Sequence, residues 1–253
     1  MDNPHLASRF RGKTVLVTGG ASGIGEACCA RFAREEASVA ILDRDTDRGW
    51  ALASTLRAQG GTAACFQVDL ANAESISRAT AQVLECYGGL HYAVNNAGLS
   101  EEPRGFLDPD DTDWDRLMSI NLRGVWHGMR CQLRAMPPGG AIVNISSRTG
   151  LVGKPGVAIY SAGKHGVIGL TRSAAIEYAP RGIRINAICP GLVQSPFTEA
   201  KFGDRLTRLA QSANPMGRIG QPAEIAGAVA WLCSSDASYI TGAIVPVDGG
   251  ASA

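Results

Sequence analysis

Short apolar runs rich in β-branched residues alternate along this chain with longer stretches whose apolar positions recur at helical spacing. The short runs predict strands over Thr14–Thr18, Ser38–Asp43, Thr62–Val68, Tyr92–Asn95, Ala141–Ile145, Arg184–Cys189 and Ala243–Val247. The periodic stretches predict helices over Glu26–Glu35, Asp45–Ala58, Asn72–Cys86, Asp111–Ala135, Ala158–Ala179 and Pro222–Cys233. Asp45 or Thr46 and Asn72 suit helix caps, Pro222 suits a first helical turn, and Gly60-Gly61 and Gly88-Gly89 suit helix stops. Trp114, Leu117, Met118, Leu122 and Val125 give the fourth helix its apolar stripe, and the pattern reads as one helix from Asp111 to Ala135.

Strand and helix in strict alternation, with short connections, is the pattern of a parallel sheet covered on both faces. The expectation is one α/β domain over residues 13–253, a doubly wound, Rossmann-type sheet, preceded by a polar leader at 1–12. In such a sheet ligands bind beyond the carboxyl ends of the strands. The polar clusters fall at those ends: Gly19 to Gly25, Asp43, Asp69, Asn95 to Gly98, Ser146-Ser147 and Pro190-Gly191.

Gly19, Gly23 and Gly25 follow the first strand and open the first helix. Glycine allows a tight turn and close approach of a pyrophosphate, and a helix N-terminus attracts the anion. Asp43 ends the second strand, about 20 residues on, where an acid accepts hydrogen bonds from an adenosine ribose. That carboxylate repels a 2′-phosphate, so the expected cofactor is NAD rather than NADP. The neighbouring Arg44 is the residue that would serve NADP instead, by pairing a phosphate. Asp69 either meets the adenine amino group or caps the helix that follows.

Tyr160 and Lys164 are four apart and share one helix face. A phenol ionises near pH ~10, and a cation held beside it favours the phenolate. A serine hydroxyl at the same point, from Ser146 or Ser147, would complete a proton-transfer site. Only one of these two can face the cleft, because sides alternate along a strand. The net charge of +1 without a basic run argues against nucleic acid and acidic membrane surfaces as partners. No stretch reaches the ~18 apolar residues of a membrane span. Seven cysteines with no Cys-x-x-Cys pair read as reduced, mostly buried thiols of a cytoplasmic protein, and four histidines without ligand spacing make a metal site an unpromising reading.

Together these residues resemble the short-chain dehydrogenase/reductase family. Thr18-Gly-Gly-Ala-Ser-Gly-Ile-Gly25 is similar to its Thr-Gly-x-x-x-Gly-x-Gly fingerprint, and Asn95-Asn-Ala-Gly98 to its Asn-Asn-Ala-Gly. Asn121 falls at the family's helix asparagine. Ser147, 13 residues before Tyr160, has the family's serine offset, and Tyr160-x-x-x-Lys164 is its hallmark. Pro190-Gly191 and Asp248-Gly-Gly250 complete the set. The resemblance implies an oxidoreductase that moves hydride between a nicotinamide and an alcohol or carbonyl carbon. Tyr160 would be the acid/base, Lys164 would lower its pKa and bind the nicotinamide ribose, Ser147 would bond the substrate oxygen, and Asn121 would hold a relay water. The plain alternative for Asn121 is a buried amide bonded to backbone. The implied cofactor contacts are Gly19, Ser22, Gly23, Ile24, Gly25, Asp43, Arg44, Asp69, Leu70, Asn96, Ala97, Gly98, Tyr160, Lys164, Pro190, Gly191, Val193 and Ser195.

Three departures from the family pattern stand out. Gly163 precedes the lysine, at a cost of roughly 1 kcal/mol against Ala, which close approach of a neighbouring backbone would explain. Glu36 stands where glycine commonly ends the first helix, so it would carry strain if the position needs φ > 0. Ser195 replaces a common threonine and keeps the hydroxyl.

The small-molecule substrate, an alcohol or ketone, would meet Ser100 to Arg104, Arg148 to Val152, Leu192 and an irregular segment at 193–215. In that segment Phe197, Phe202, Leu206 and Leu209 suggest either a mobile lid or a docked surface helix. Leu151, Val152 and Leu192 favour a partly apolar substrate, and Arg104 or Arg148 a carboxylate. The resemblance also implies a homotetramer through the helices from Asp111 and Ala158, and the apolar run at Ala243–Val247 suits a second interface.

Overall fold

Seven parallel strands hydrogen-bond in the order β3-β2-β1-β4-β5-β6-β7 in the computed structural model of the chain. They are β1 (Thr14–Thr18), β2 (Ser38–Asp43), β3 (Thr62–Gln67), β4 (Tyr92–Asn95), β5 (Ala141–Ile145), β6 (Arg184–Pro190) and β7 (Ile244–Val247). The structure describes residues 8–196, 198–199, 203–205, 208–209, 211 and 214–253. Among them the longer helices are α1 (Gly23–Arg34), α2 (Thr46–Ala58), α3 (Ala73–Tyr87), α4 (Asp111–Met118), α5 (Val125–Ala135), α6 (Ala158–Tyr178) and α7 (Pro222–Cys233). The expected elements are present, and Asp45 and Asn72 cap their helices through their side chains.

The central strands are buried from end to end, so their side chains alternate between two cores rather than between core and water. Val15 and Val17 of β1 pack with α1, α2 and α7; Leu16 faces the opposite core with α3, α5 and α6. Strand order reverses between β1 and β4, and that crevice opens at the carboxyl ends.

Two details differ from the sequence reading, and a third answers the question it raised about Glu36. Residues 8–12 are part of the domain, not a leader. Phe10 is fully buried against Phe32 and Tyr92, and Arg9 forks onto the buried carboxylate of Glu35. A single aromatic between two arginines carries no periodic signal. The stretch Asp111–Ala135 is not one regular helix: Ser119–Gly124 forms a turn of π-helix between α4 and α5. Glu36 does adopt φ 66° and closes α1, with its N–H on Ala33 and the N–H of Ala37 reaching back to Phe32.

Phe197, Phe202 and Leu206, named for a lid, lie outside the described residues, as do residues 1–7. Of that group, Leu209 is described and is partly exposed.

Candidate active site

The glycine turn after β1 is shaped by protein contacts as much as by any ligand. A Cβ on Gly25 would stand 2.0 Å from the Gly19 carbonyl, and one on Gly19 would stand 2.9 Å from the Ala97 Cα. Asn96 locks this packing. Its side-chain amide donates to the carbonyls of Thr18 and Gly19, each at 3.1 Å, while the Thr18 hydroxyl accepts the N–H groups of Asn96 and Ala97. The Asn95 side chain turns inward, into a buried amide network with Gln132 and Asn144. Helix α1 then begins at Ser22 without a side-chain cap, leaving main-chain N–H groups of its first turn for an anion. Asp43 reaches the same turn. Its carboxylate accepts from Ala21 N–H at 3.1 Å and Asp45 N–H at 3.0 Å. Asp69 accepts from Ala71 N–H, while Asn72 caps α3, so Asp69 shapes a turn rather than the helix start.

At the other end of the cleft stands the proton-transfer group. Lys164 is buried; its Nζ donates to the Ile145 carbonyl at 2.9 Å and lies 5.7 Å from the Tyr160 ring centroid. Burial pulls the lysine down to about 8. Burial also pushes the Tyr160 phenol up to about 12, and a hydrogen bond with Ser147 pulls it back. Any lowering of the phenol's pKa by Lys164 is outweighed here by desolvation. Desolvation dominates, and the ammonium is turned toward Ile145.

The two serines have separate work. Ser146 is buried, and its hydroxyl donates to the Lys164 carbonyl, tying β5 to α6. Ser147 faces the cleft. Its Oγ accepts from both the N–H and the hydroxyl of Thr149, at 3.2 and 3.0 Å. With its lone pairs so engaged, the Ser147 proton is the group available to a phenol or substrate oxygen. Thr149, expected only as part of the substrate stretch Arg148 to Val152, sets this polarity through its hydroxyl.

Asn121 sits in the π-helical turn, 1% exposed. Its amide accepts from Leu99 N–H at 2.7 Å and donates to Leu99 C=O at 3.0 Å, so the side chain is a backbone clamp. Gly163 packs against it: an added Cβ would meet the Asn121 Cβ at 3.4 Å. The close neighbour there is a side chain, not the expected backbone. Ser195 bonds Thr198, whose hydroxyl in turn reaches the Val193 carbonyl. Arg104 is held by Asp113 at 2.6 Å and Arg148 by the Ala251 carbonyl at 3.0 Å, which weakens both as anchors for a substrate carboxylate.

One cleft of about 340 Å³ collects these groups. Gly19, Ser22, Gly23, Ile24, Asp43, Arg44, Asp69, Leu70, Asn96, Ala97, Gly98, Ser147, Tyr160, Lys164, Pro190, Gly191, Val193 and Ser195 all line it. Gly25 and Asn121 do not; they act one layer back, through packing and the Leu99 clamp. Leu99, Ile120 and Ile145 line it too and were not foreseen, while Pro196 and Thr198 belong to the 193–215 segment expected to meet the substrate. The residues fit a dinucleotide: free helix-terminal donors beside a glycine turn, an anchored acid at one end and a phenol, hydroxyl and amine at the other.

A family model described as enoyl-(acyl carrier protein) reductase matches residues 19–252. Cyclohexanol dehydrogenase of Acinetobacter sp. strain SE19 is 37% identical over 96% of both chains. 3beta-hydroxysteroid dehydrogenase of Mediterraneibacter gnavus is 36% identical over 97% of this chain and 96% of its own. Among solved structures, a short chain dehydrogenase from Burkholderia cenocepacia J2315 in complex with NADP superposes with a TM-score of 0.92. It has 32% identity over 97% of this chain and 100% of that one. A 3-ketoacyl-(acyl-carrier-protein) reductase from Brucella melitensis complexed with NADH gives 0.89, with 32% identity over 96% and 100%.

Proposed function

Because the chain belongs to the short-chain dehydrogenase/reductase family, and so is an NAD(P)-dependent oxidoreductase acting on CH–OH groups, we propose that it interconverts a secondary alcohol and its ketone using NAD. The observation that carries the reading is the single cleft that joins Asp43 at one end to Tyr160, Ser147 and Lys164 at the other. Relatives that act on ring alcohols, and the apolar Leu99 and Ile120 in the lining, support an uncharged, partly apolar substrate.

A bound nicotinamide supplies hydride transfer. Gly19, Gly23 and the first turn of α1 would hold its pyrophosphate, Asp43 its adenosine ribose, and Lys164 its second ribose. Ser147 donates to the substrate oxygen. Tyr160 gives its proton to that oxygen during reduction and takes one during oxidation. Lys164 stabilises the phenolate that reduction leaves. Positioned acid–base catalysis of this kind is typically worth 10²–10⁴-fold. For Asn121, a relay role would have to run through its main chain, since its side chain is bonded to Leu99.

The preference for NAD rests on the Asp43 charge; Arg44, which also lines the cleft, is the residue that NADP would use. A homotetramer is part of the same reading. Trp114 and Trp126 are about half exposed on α4 and α5, and Trp126 lines a groove with Met118, Leu122, Gly166 and Leu170. The edge strand β7 leaves its apolar side chains partly uncovered. Seven unpaired thiols support a reducing, cytoplasmic setting. No helix among the described residues is long and apolar enough to cross a membrane.

The test is Tyr160→Phe, assayed at 340 nm on a panel of secondary alcohols and ketones with both cofactors. Turnover should fall 10²–10⁴-fold while NADH still binds. Wild-type turnover in the mutant would defeat the mechanism. Light scattering at micromolar concentration checks the assembly, and a monomer there would remove the tetramer from the reading.

A further inference from the structure

Helix α6 begins only two residues before Tyr160. Its N-cap, Val157, has no side chain able to cap it, so the first N–H groups of the helix need partners from elsewhere. One partner is Glu101. Its carboxylate is 2% exposed, and Oε2 accepts the main-chain N–H of Tyr160 at 2.9 Å. Buried carboxylates at a helix start are favoured by the helix dipole as well as by the hydrogen bond itself.

Glu101 lies in a loop fixed on both sides of it. Upstream, Leu99 is clamped by Asn121 through both its N–H and C=O. Downstream, the Arg104 N–H bonds the Gly156 carbonyl, just before α6, and its guanidinium is held by Asp113 of α4. The exit loop of β4 thus bridges the π-helical turn, α4 and the first turn of α6. Glu101 is its contact with the residue that carries the phenol.

We propose that Glu101 is a positioning residue for Tyr160: it fixes the first turn of α6 through the tyrosine's own N–H, and so sets the phenol against Ser147 and the substrate oxygen. Glu101 does not itself line the cleft. The inference rests on the acid/base reading of Tyr160 for its effect on rate, but not for its effect on the helix. A displacement of about 1 Å at a reacting group costs on the order of 10²-fold, so losing this anchor should lower turnover by about 10–100-fold.

The experiment compares Glu101→Leu, which fills the space without an acceptor, with Glu101→Gln, which keeps one. Two readouts are taken on the full chain: kcat and KM with the best alcohol of the panel, and amide hydrogen exchange of the peptide covering 158–164. Glu101→Leu should lose about 10–100-fold in kcat with the KM for NAD little changed, since Asp43 and the glycine turn lie at the far end of the cleft. Exchange at the start of α6 should quicken while β1 and α1 stay protected. Glu101→Gln should recover both to within about threefold. Leu with wild-type exchange and kcat would overturn the proposal. So would Gln as impaired as Leu in both, because the bond and not the charge is what is claimed. Should Glu101→Leu fail to fold, the Gln variant is read alone against wild type, and quickened exchange at 158–164 in it overturns the proposal. If the wild-type chain turns over no alcohol or ketone, the acid/base reading fails, and the exchange data still decide whether Glu101 anchors α6.

Discussion

The ammonium of Lys164 is bonded to the carbonyl of Ile145 at 2.9 Å, at the end of the strand that carries Ser147. The strand that delivers the serine therefore also holds the lysine beside the phenol. Lys164→Met keeps an unbranched side chain one atom shorter and removes both the charge and the bond. We expect at least a 10²-fold loss of turnover, with α6 still folded by circular dichroism, and a near wild-type rate would show that the charge is not used.

The pKa directions give each reaction its own pH dependence. Burial holds Tyr160 near 12, so below that value the phenol keeps its proton and is ready to donate to a ketone. Lys164, held near 8, is charged below pH 8 and loses its proton above it. Ketone reduction should thus be flat toward neutral pH and decline above about 8. Alcohol oxidation, which needs the phenol deprotonated and the ammonium charged, should rise with pH to about 8 and level off above it. Profiles of kcat/KM in both directions check this, and the decline near 8 should vanish from the residual activity of Lys164→Met.

Asp43 does two things with one carboxylate. It accepts main-chain N–H groups from Ala21 and Asp45, and it brings a negative charge to the ribose end of the cleft. Asp43→Asn keeps an acceptor and drops the charge. The NADH-to-NADPH affinity ratio should move toward NADPH by about tenfold, which is about 1.4 kcal/mol. Parallel fluorescence titrations measure it; an unchanged ratio, or tighter NADPH binding by the wild type, would overturn the NAD assignment.

Glu36 is the one non-glycine residue with positive φ among the described residues. It pairs with Arg11, but both side chains are well exposed and such pairs contribute little. Glu36→Gly relieves the left-handed strain at the end of α1 and should raise Tm by a few degrees. A lower Tm in differential scanning calorimetry would mean that the Arg11 pair outweighs the strain.

His91 accepts the Thr14 N–H on Nδ1 at 3.1 Å, a bond only the neutral ring can make. Its folded-state pKa is lowered by burial and then by Lys13. The unfolded chain therefore takes the proton first. Stability from this bond is full above the ordinary value of 6.5 and is lost as pH falls through the lower folded-state value. His91→Gln, with a non-titrating acceptor, should flatten Tm against pH between about 7 and 5.

What the sequence determined by itself was periodicity and local chemistry. Runs such as Thr14–Thr18 and Ala141–Ile145 can only be buried strands. Gly19 to Gly25 can only be a turn into a helix, and Tyr160 and Lys164 must share a helical face. These follow from neighbours in the chain. Tertiary packing decided the rest, because it depends on groups distant in sequence. Phe10 is core because Phe32 and Tyr92 surround it. Asn121 spends its side chain on Leu99, 22 residues away. Thr149 turns the Ser147 proton outward, and desolvation rather than Lys164 governs the Tyr160 phenol. Glu101 belongs to the site only because the exit loop of β4 folds onto the start of α6 and brings its carboxylate to the one main-chain N–H that the phenol's own residue presents.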